Sequence, residues 1–210
     1  MTADMGYGHE RASHALTDLA YGDPIVSNNY PGIPERDKKL WRATRVLYEA
    51  FSRFKSVPIL GEIAWSLFDN MQEIEPFYPR RDLSKPSLQV LQQYYLIEKK
   101  GLGSDLIATL RKKRKLPLVC TFPLPAFAAD YFDYPEDIYL VTTDADINRA
   151  WVAKDPKRSR VKYFASNGRV VERLKLYGVP PDRIFLTGFP LSKDLIGGPS
   201  AETIRKDLGE

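Results

Sequence analysis

An α/β fold, a parallel sheet with helices on both faces, is what the sequence predicts, and three observations predict it. From Leu118 onward, short apolar runs alternate with helical stretches, the pattern of successive βαβ units. Those apolar runs carry Val, Ile and Leu at both alternating positions, so neither face of the sheet reads as a solvent face. The chain also opens on TADMGYGHERAS, residues 2–13, a glycine turn running straight into a helix. Only Met1, Thr2 and Ala3 remain to form the strand that normally leads into such a turn, so the first, central strand is expected to be truncated or missing.

The elements follow in order. Gly6 and Gly8 can take positive φ and admit another molecule to the backbone, while a helix starting near His9 or Glu10 points its positive dipole end at that place. That helix, through Ala12, Ala15, Leu16 and Leu19, ends near Gly22, and Ile25, Val26 and Ser27 form a short strand. Residues 38–55 repeat with a helical period: Leu40, Ala43, Leu47, Ala50, Phe51 and Phe54 fall on one stripe, with Lys38, Arg42, Arg45, Glu49 and Arg53 opposite. Pro58 breaks this helix, and Leu60, Ile63, Ala64, Leu67, Phe68 and Met71 make a second apolar stripe with sparse charge. A proline-rich loop over 76–86 precedes a helix through Leu88, Leu91, Tyr95 and Ile97 that stops at Gly101-Leu102-Gly103. Ser104 then reads as the N-cap of a helix ending in the basic run 111–115. The remainder reads as strand 118–122, helix 126–134, strand 138–143, strand 161–165, helix 168–177 closed by Gly178, and strand 183–187.

At 210 residues, 43% hydrophobic and 28% charged, the chain can bury one good core and reads as one domain. Charge interrupts every apolar run before it reaches membrane-spanning length, and no signal peptide is visible, so a cytoplasmic place, including a membrane face, is expected. The single cysteine, Cys120, lies in an apolar run and reads as a small buried hydrophobe. His9 and His14 stand five residues apart, about 140° around a helix, which does not chelate one ion, so no metal is expected. The net charge of +4 is concentrated in residues 38–55 and 111–115, a distribution suited to an anionic surface. Neither zinc-finger spacing nor an aromatic RNA-binding pattern occurs, so nucleic acid is not an expected partner.

In parallel sheets of this kind the ligand crevice lies beyond the carboxyl ends of the strands. The residues there are Gly6 to His9, Pro123 to Pro125, Thr143 to Asp146, Ser166-Asn167 and Gly188 to Pro190. The opening turn is not a dinucleotide fingerprint, because Arg11 stands where the third glycine belongs, and no Gly-Lys-Ser/Thr makes it a P-loop. What remains is His9 beside a helix N-terminus, where the dipole disfavours protonation and leaves the imidazole available as a base; the alternative is a structural cap. Asp144, at the end of a strand in VTTDADINRAW, is placed to orient an imidazole or a hydroxyl, or simply to turn the chain. Asp146 and Asp155 read as turn residues, and Trp151 as a site wall or a packing residue.

Taken in order, DMGYGHERAS, TTDADINRAW and YFASNGRVVERLKLYGVPPDRIFLTGFPL resemble the N-terminal half of GT-B glycosyltransferases. The similar branch contains monogalactosyldiacylglycerol synthase, processive diacylglycerol glucosyltransferases and the peptidoglycan enzyme that adds N-acetylglucosamine to lipid-linked muramyl-pentapeptide. The resemblance implies a Rossmann-like acceptor-binding domain over 1–190, with 191–210 beginning a linker or second domain. It implies catalytic roles for His9 and Asp144, and an acceptor wall including Gly6, Tyr7, Gly8, Thr143, Trp151 and Ser166. The family turn is usually Gly-Gly-Gly-His, and Tyr7 departs from it.

No cofactor is expected in this chain. The resemblance implies a nucleotide-sugar donor for the complete enzyme, held by a donor-binding domain on further sequence or on a separate chain. Transfer would be inverting and metal-independent, with His9 or Asp144 removing the acceptor proton. It also implies a membrane-facing surface, for which the basic face of 38–55, the stripe of 59–71, Trp41 and Trp65 are the candidates. The competing expectation is a non-catalytic Rossmann-like module that binds a ligand or protein.

Overall fold

Four parallel strands, β1 (Leu118–Cys120), β2 (Ile138–Val141), β3 (Lys162–Ala165) and β4 (Ile184–Leu186), stand side by side in that order in the computed structural model. The structure describes residues 1–5, 7–54, 74–113, 115–196, 202 and 205–206. On the far side of β1 the chain start adds a minimal extension. The terminal amine of Met1 donates to the Val119 carbonyl at 2.5 Å, and the Thr121 N–H donates to the Met1 carbonyl at 2.9 Å. Thr2 in turn forms a single parallel bridge with Val26. The short first strand expected from the sequence is therefore one bridge residue long. Its neighbours give the lateral order 25–27, 1–2, β1, β2, β3, β4, in which the chain steps away from residues 1–2 in one direction and later returns on their other side.

Register explains which strand residues enter the core. Leu118 pairs with Ile138, Cys120 with Leu140, and Leu140 with Tyr163, so these residues and Ala165 share one face, and all are buried. Burial pushes the Cys120 thiol up to about 11, as a packed, unreactive cysteine requires. Helix α5 (Pro123–Tyr131) packs on β1 and β2, and α6 (Gly168–Leu176) packs on β3 and β4. The opposite face does not match the expectation of full cover: Tyr139 and Phe164 are half-buried and Phe185 is exposed. Their rings cover one another instead, Tyr139 stacked on Phe164 at 4.8 Å and Phe164 edge-on to Phe185 at 6.0 Å.

Among the described residues five further helices occur: α1 (Tyr7–Ala15), α2 (Glu35–Phe54), α3 (Leu88–Glu98) and α4 (Ser104–Arg111) before β1, and a short α7 (Lys193–Ile196) after β4. Helix α1 begins two residues earlier than the sequence predicts, which puts Gly8 inside its first turn. Over residues 35–46, the part of α2 whose side chains are described, the buried face also departs from the expected stripe. Asp37 and Trp41 are buried and Leu40 and Thr44 half-buried, while Ala43 is exposed. Tertiary partners outweigh periodicity here. Asp37 accepts from the Gly103 N–H at 3.1 Å and from Arg36 Nε at 2.9 Å, and Trp41 packs with Ala3, Ile33, Leu102 and Leu124. Trp41, expected on a membrane-facing surface, thus belongs to the core. Trp65, the apolar stripe over 60–71 and Gly6 lie outside the described residues. Among the described residues no helix is long and apolar enough to cross a membrane.

The cap of α4 is Gly103, at φ +85°, rather than Ser104, whose hydroxyl accepts instead from Arg36 at 3.2 Å. A β-carbon at Gly103 would stand 2.9 Å from the Ala128 β-carbon in α5, whereas one at Gly8 would meet nothing within 4 Å. Gly103→Ala is accordingly expected to destabilise the protein by about 2 kcal/mol or more, the sum of a left-handed backbone cost and a clash between packed helices. Gly8→Ala is expected to be neutral or to stabilise by up to about 1 kcal/mol, since it only improves a helical position. Urea-unfolding midpoints of the two variants check the contrast.

Candidate functional site

The place where the chain order reverses, between residues 1–2 and β1, is where open parallel sheets leave a crevice beyond their carboxyl ends. His9 stands there. It lies in the first turns of α1, and its Nδ1 is 2.8 Å from the main-chain carbonyl of Thr121 and 3.1 Å from the Thr143 hydroxyl. The Thr121 hydroxyl donates back to the His9 carbonyl at 2.9 Å, so one residue just past β1 holds both the ring and the backbone of His9. Two aromatic rings complete the wall: Phe122 meets the imidazole edge-on at 4.9 Å between centroids, and Trp151 lies tilted at 5.7 Å.

Asp144 follows β2 and, although an exposed residue overall, carries its carboxyl against this apolar wall. The local loss of water pushes its pKa above the usual carboxylate value, while His9 and the Trp151 indole pull it down by less. His9 moves the other way: burial pushes its pKa below 6.5, against the opposing pull of the Thr121 carbonyl and the Asp144 charge. At pH 7 the imidazole is therefore neutral, with the Asp144 carboxyl beside it. Protonating His9 also costs folding free energy. Because the folded value lies below the unfolded one, its contribution is intact above pH ~6.5 and is lost as the pH falls through the folded value.

The sequence-predicted residues divide in two. His9, Asp144 and Trp151 converge, although Trp151 is only 7% exposed and presents little of its ring to solvent. Gly8 lines the open side of the same helix turn and does not use the positive φ open to it. Tyr7 begins α1 and Gly6 is outside the described residues. Thr143 and Ser166, expected to touch an acceptor, are half-buried and make hydrogen bonds within the fold. Thr143 Oγ1 faces His9 Nδ1, and Ser166 Oγ donates to the Asp144 carbonyl at 2.8 Å, which fixes the Asp144 turn from beneath. Asn167 adds a bond to the Ala145 carbonyl at 2.9 Å.

Asp146, read as a turn residue, anchors this turn through both Arg169 and Arg173 of α6. Thr121 escaped the sequence reading because a main-chain carbonyl has no sequence signature, and Phe122 because an aromatic ring there reads as core; their position at the end of β1 was the available signal.

Among the described residues no group of three His, Cys, Asp or Glu side chains could hold a metal ion. An open hollow of about 680 Å³ lies elsewhere, between Pro76, Phe77 and Tyr78 and the start of α6. Its lining charges are paired: Glu172 with Lys175 and Arg80, and Arg169 with Asp146. No family model matches the chain, and neither a curated protein nor a solved structure matches it.

Proposed function

We propose that this chain is the acceptor-binding half of a glycosyltransferase, with His9 as the base that takes the proton of an acceptor hydroxyl and Asp144 as its carboxyl partner. The observation that carries the reading is the convergence of His9 and Asp144, 135 residues apart in sequence, beyond the carboxyl ends of β1 and β2, where burial keeps His9 neutral. A neutral imidazole accepts the hydroxyl proton as the oxygen attacks the anomeric carbon, and the nearby carboxylate stabilises the imidazolium that forms. The wall of Phe122 and Trp151 suits the apolar face of a sugar or a lipid-linked acceptor. The nucleotide-sugar donor is assigned to a donor-binding unit opposite this crevice, whose groups would receive the leaving diphosphate.

Acceptor binding tests the assignment without the donor unit. Titration of the isotopically labelled protein with a soluble short-chain diacylglycerol is expected to shift the Trp151 indole N–H and His9 ring resonances saturably. Silence at both positions overturns the acceptor assignment, and so does a response to nucleotide-sugar alone. With a donor-binding unit supplied, His9→Gln is expected to lower transfer by about 10²- to 10⁴-fold, the range of a positioned general base. The acidic limb of the rate profile is expected below pH ~6.5, because burial lowers the His9 value from its unperturbed one.

A further inference from the structure

The two threonines that meet the His9 ring differ in what they can do chemically. The Thr121 group that faces Nδ1 is a carbonyl oxygen, which only accepts. The Thr143 group is a hydroxyl, which can accept or donate. If Nδ1 were bare, Thr143 would donate to it and the Thr121 carbonyl, at 2.8 Å, would face a lone pair with no proton between them. If Nδ1 carries the proton, the carbonyl takes the short bond and the hydroxyl oxygen, at 3.1 Å, takes a weaker share of it. The Thr121 hydroxyl bond to the His9 carbonyl keeps the ring in register with this arrangement. Among the described residues nothing hydrogen-bonds Nε2.

The geometry points to Thr121 and Thr143 as positioning residues that act through His9: Thr121 fixes the neutral proton on Nδ1 and delivers Nε2 bare to the crevice, and Thr143 supplies a second acceptor when the ring becomes imidazolium. This inference rests on the reading of His9 as a base, and it names the atom that does the work. When Nε2 takes the proton of a hydroxyl, the O–H bond breaks, its electron pair stays on the oxygen, and Nδ1–H remains in place with two oxygen acceptors around it. The protonated ring is thereby stabilised on the edge away from the reacting hydroxyl. Thr143 therefore has no need to touch the acceptor.

Nitrogen NMR of the folded protein, labelled at histidine, distinguishes protonated from bare ring nitrogens and requires no substrate. At pH 8 the His9 ring is expected to show a protonated Nδ1 and a bare Nε2; the reverse pattern overturns the inference. Thr143→Val is expected to keep that tautomer while lowering the His9 pKa by roughly half to one unit, the loss of one weak acceptor to a charged donor. Thr143→Ser, which retains the hydroxyl, is expected to restore the wild-type value. An unchanged pKa in Thr143→Val, or one equally lowered in Thr143→Ser, removes Thr143 from the role. Absence of glycosyl transfer alongside a protonated Nδ1 would leave the tautomer assignment standing and strike only the proposed reaction.

Discussion

Asp146→Ala is expected to destabilise the protein by about 3–5 kcal/mol, the cost of leaving a buried charge without its partner. The charge in question is Arg173, whose side chain is 1% exposed. Its Nε and one Nη each donate to a different Asp146 oxygen at 3.0 Å, the two-pronged geometry that a planar guanidinium and a carboxylate share. A further Nη donates to the Glu75 carbonyl, and the Phe77 ring lies 3.9 Å from the guanidinium carbon. Removal of Asp146 leaves the ring and one carbonyl to hold a desolvated cation. Replacing both partners, Asp146→Ala with Arg173→Met, removes that stranded cation as well and is expected to be less damaging than Asp146→Ala alone. Urea unfolding of the two single variants and the double variant measures the difference as a coupling free energy, and a coupling below about 0.5 kcal/mol would show that the pair is not a unit.

The same ion pair sets a pH dependence. Burial raises the Asp146 pKa, but hydrogen bonds from Arg173 and Arg169 outweigh it and hold the net value below that of a free aspartate. Its folded value is thus depressed. The stabilisation is present above pH ~4 and is lost as the pH falls through the folded value, a loss that Asp146→Ala no longer shows.

How much of this was legible follows from the range over which each signal acts. The strands from Leu118 onward were readable because Val, Ile and Leu runs bounded by Pro, Gly and Asp are local features. The short first strand was readable from the three residues before Asp4. The start of α1 at Tyr7 was not, because Gly8 reads as a turn residue until its ordinary φ and open surroundings are known. Helix α2 shows the limit of periodicity most clearly: Asp37 sits on its buried face, where it accepts from its neighbour Arg36 and from the Gly103 N–H, and the second of these partners lies 66 residues away. At the site, His9 and Asp144 were legible from chemistry and strand-end position. Thr143 and Ser166 stand at strand ends, and their hydroxyl contacts within the fold, to the His9 ring and to the Asp144 turn, were not legible, since a strand-end hydroxyl serves an adjacent turn as readily as a ligand. The arginines that hold the turns were unreadable. A basic residue in a charged stretch looks solvated until its carbonyl or carboxylate partners, distant in sequence, are brought to it.

Arg149 is the clearest case, and Arg149→Met is expected to cost about 3–5 kcal/mol. This arginine is buried, 7% exposed, in the single turn of 3-10 helix over Arg149–Trp151. Its guanidinium donates to the carbonyls of Ser84 at 2.8 Å, Val152 at 2.6 Å, Ala153 at 3.0 Å and Lys154 at 3.4 Å. It therefore ties the loop before α3 to the segment after Trp151. Methionine fills comparable volume but donates nothing, so several carbonyls lose a charged donor in a place where water has little access. Lysine keeps the charge yet cannot reach carbonyls in opposite directions from one planar fork, so Arg149→Lys is expected to recover only part of the loss.

The consequence extends to the site because Trp151, two residues on, is the ring tilted against His9. Loosening this turn is expected to shift the Trp151 indole resonance and the His9 ring resonances together in Arg149→Lys, the variant more able to fold. Thermal unfolding and these two sets of resonances check both halves of the prediction. A stable Arg149→Met protein with unchanged Trp151 and His9 signals would mean that the carbonyls find other donors, and that the turn carrying the site is held by its side-chain packing rather than by this arginine.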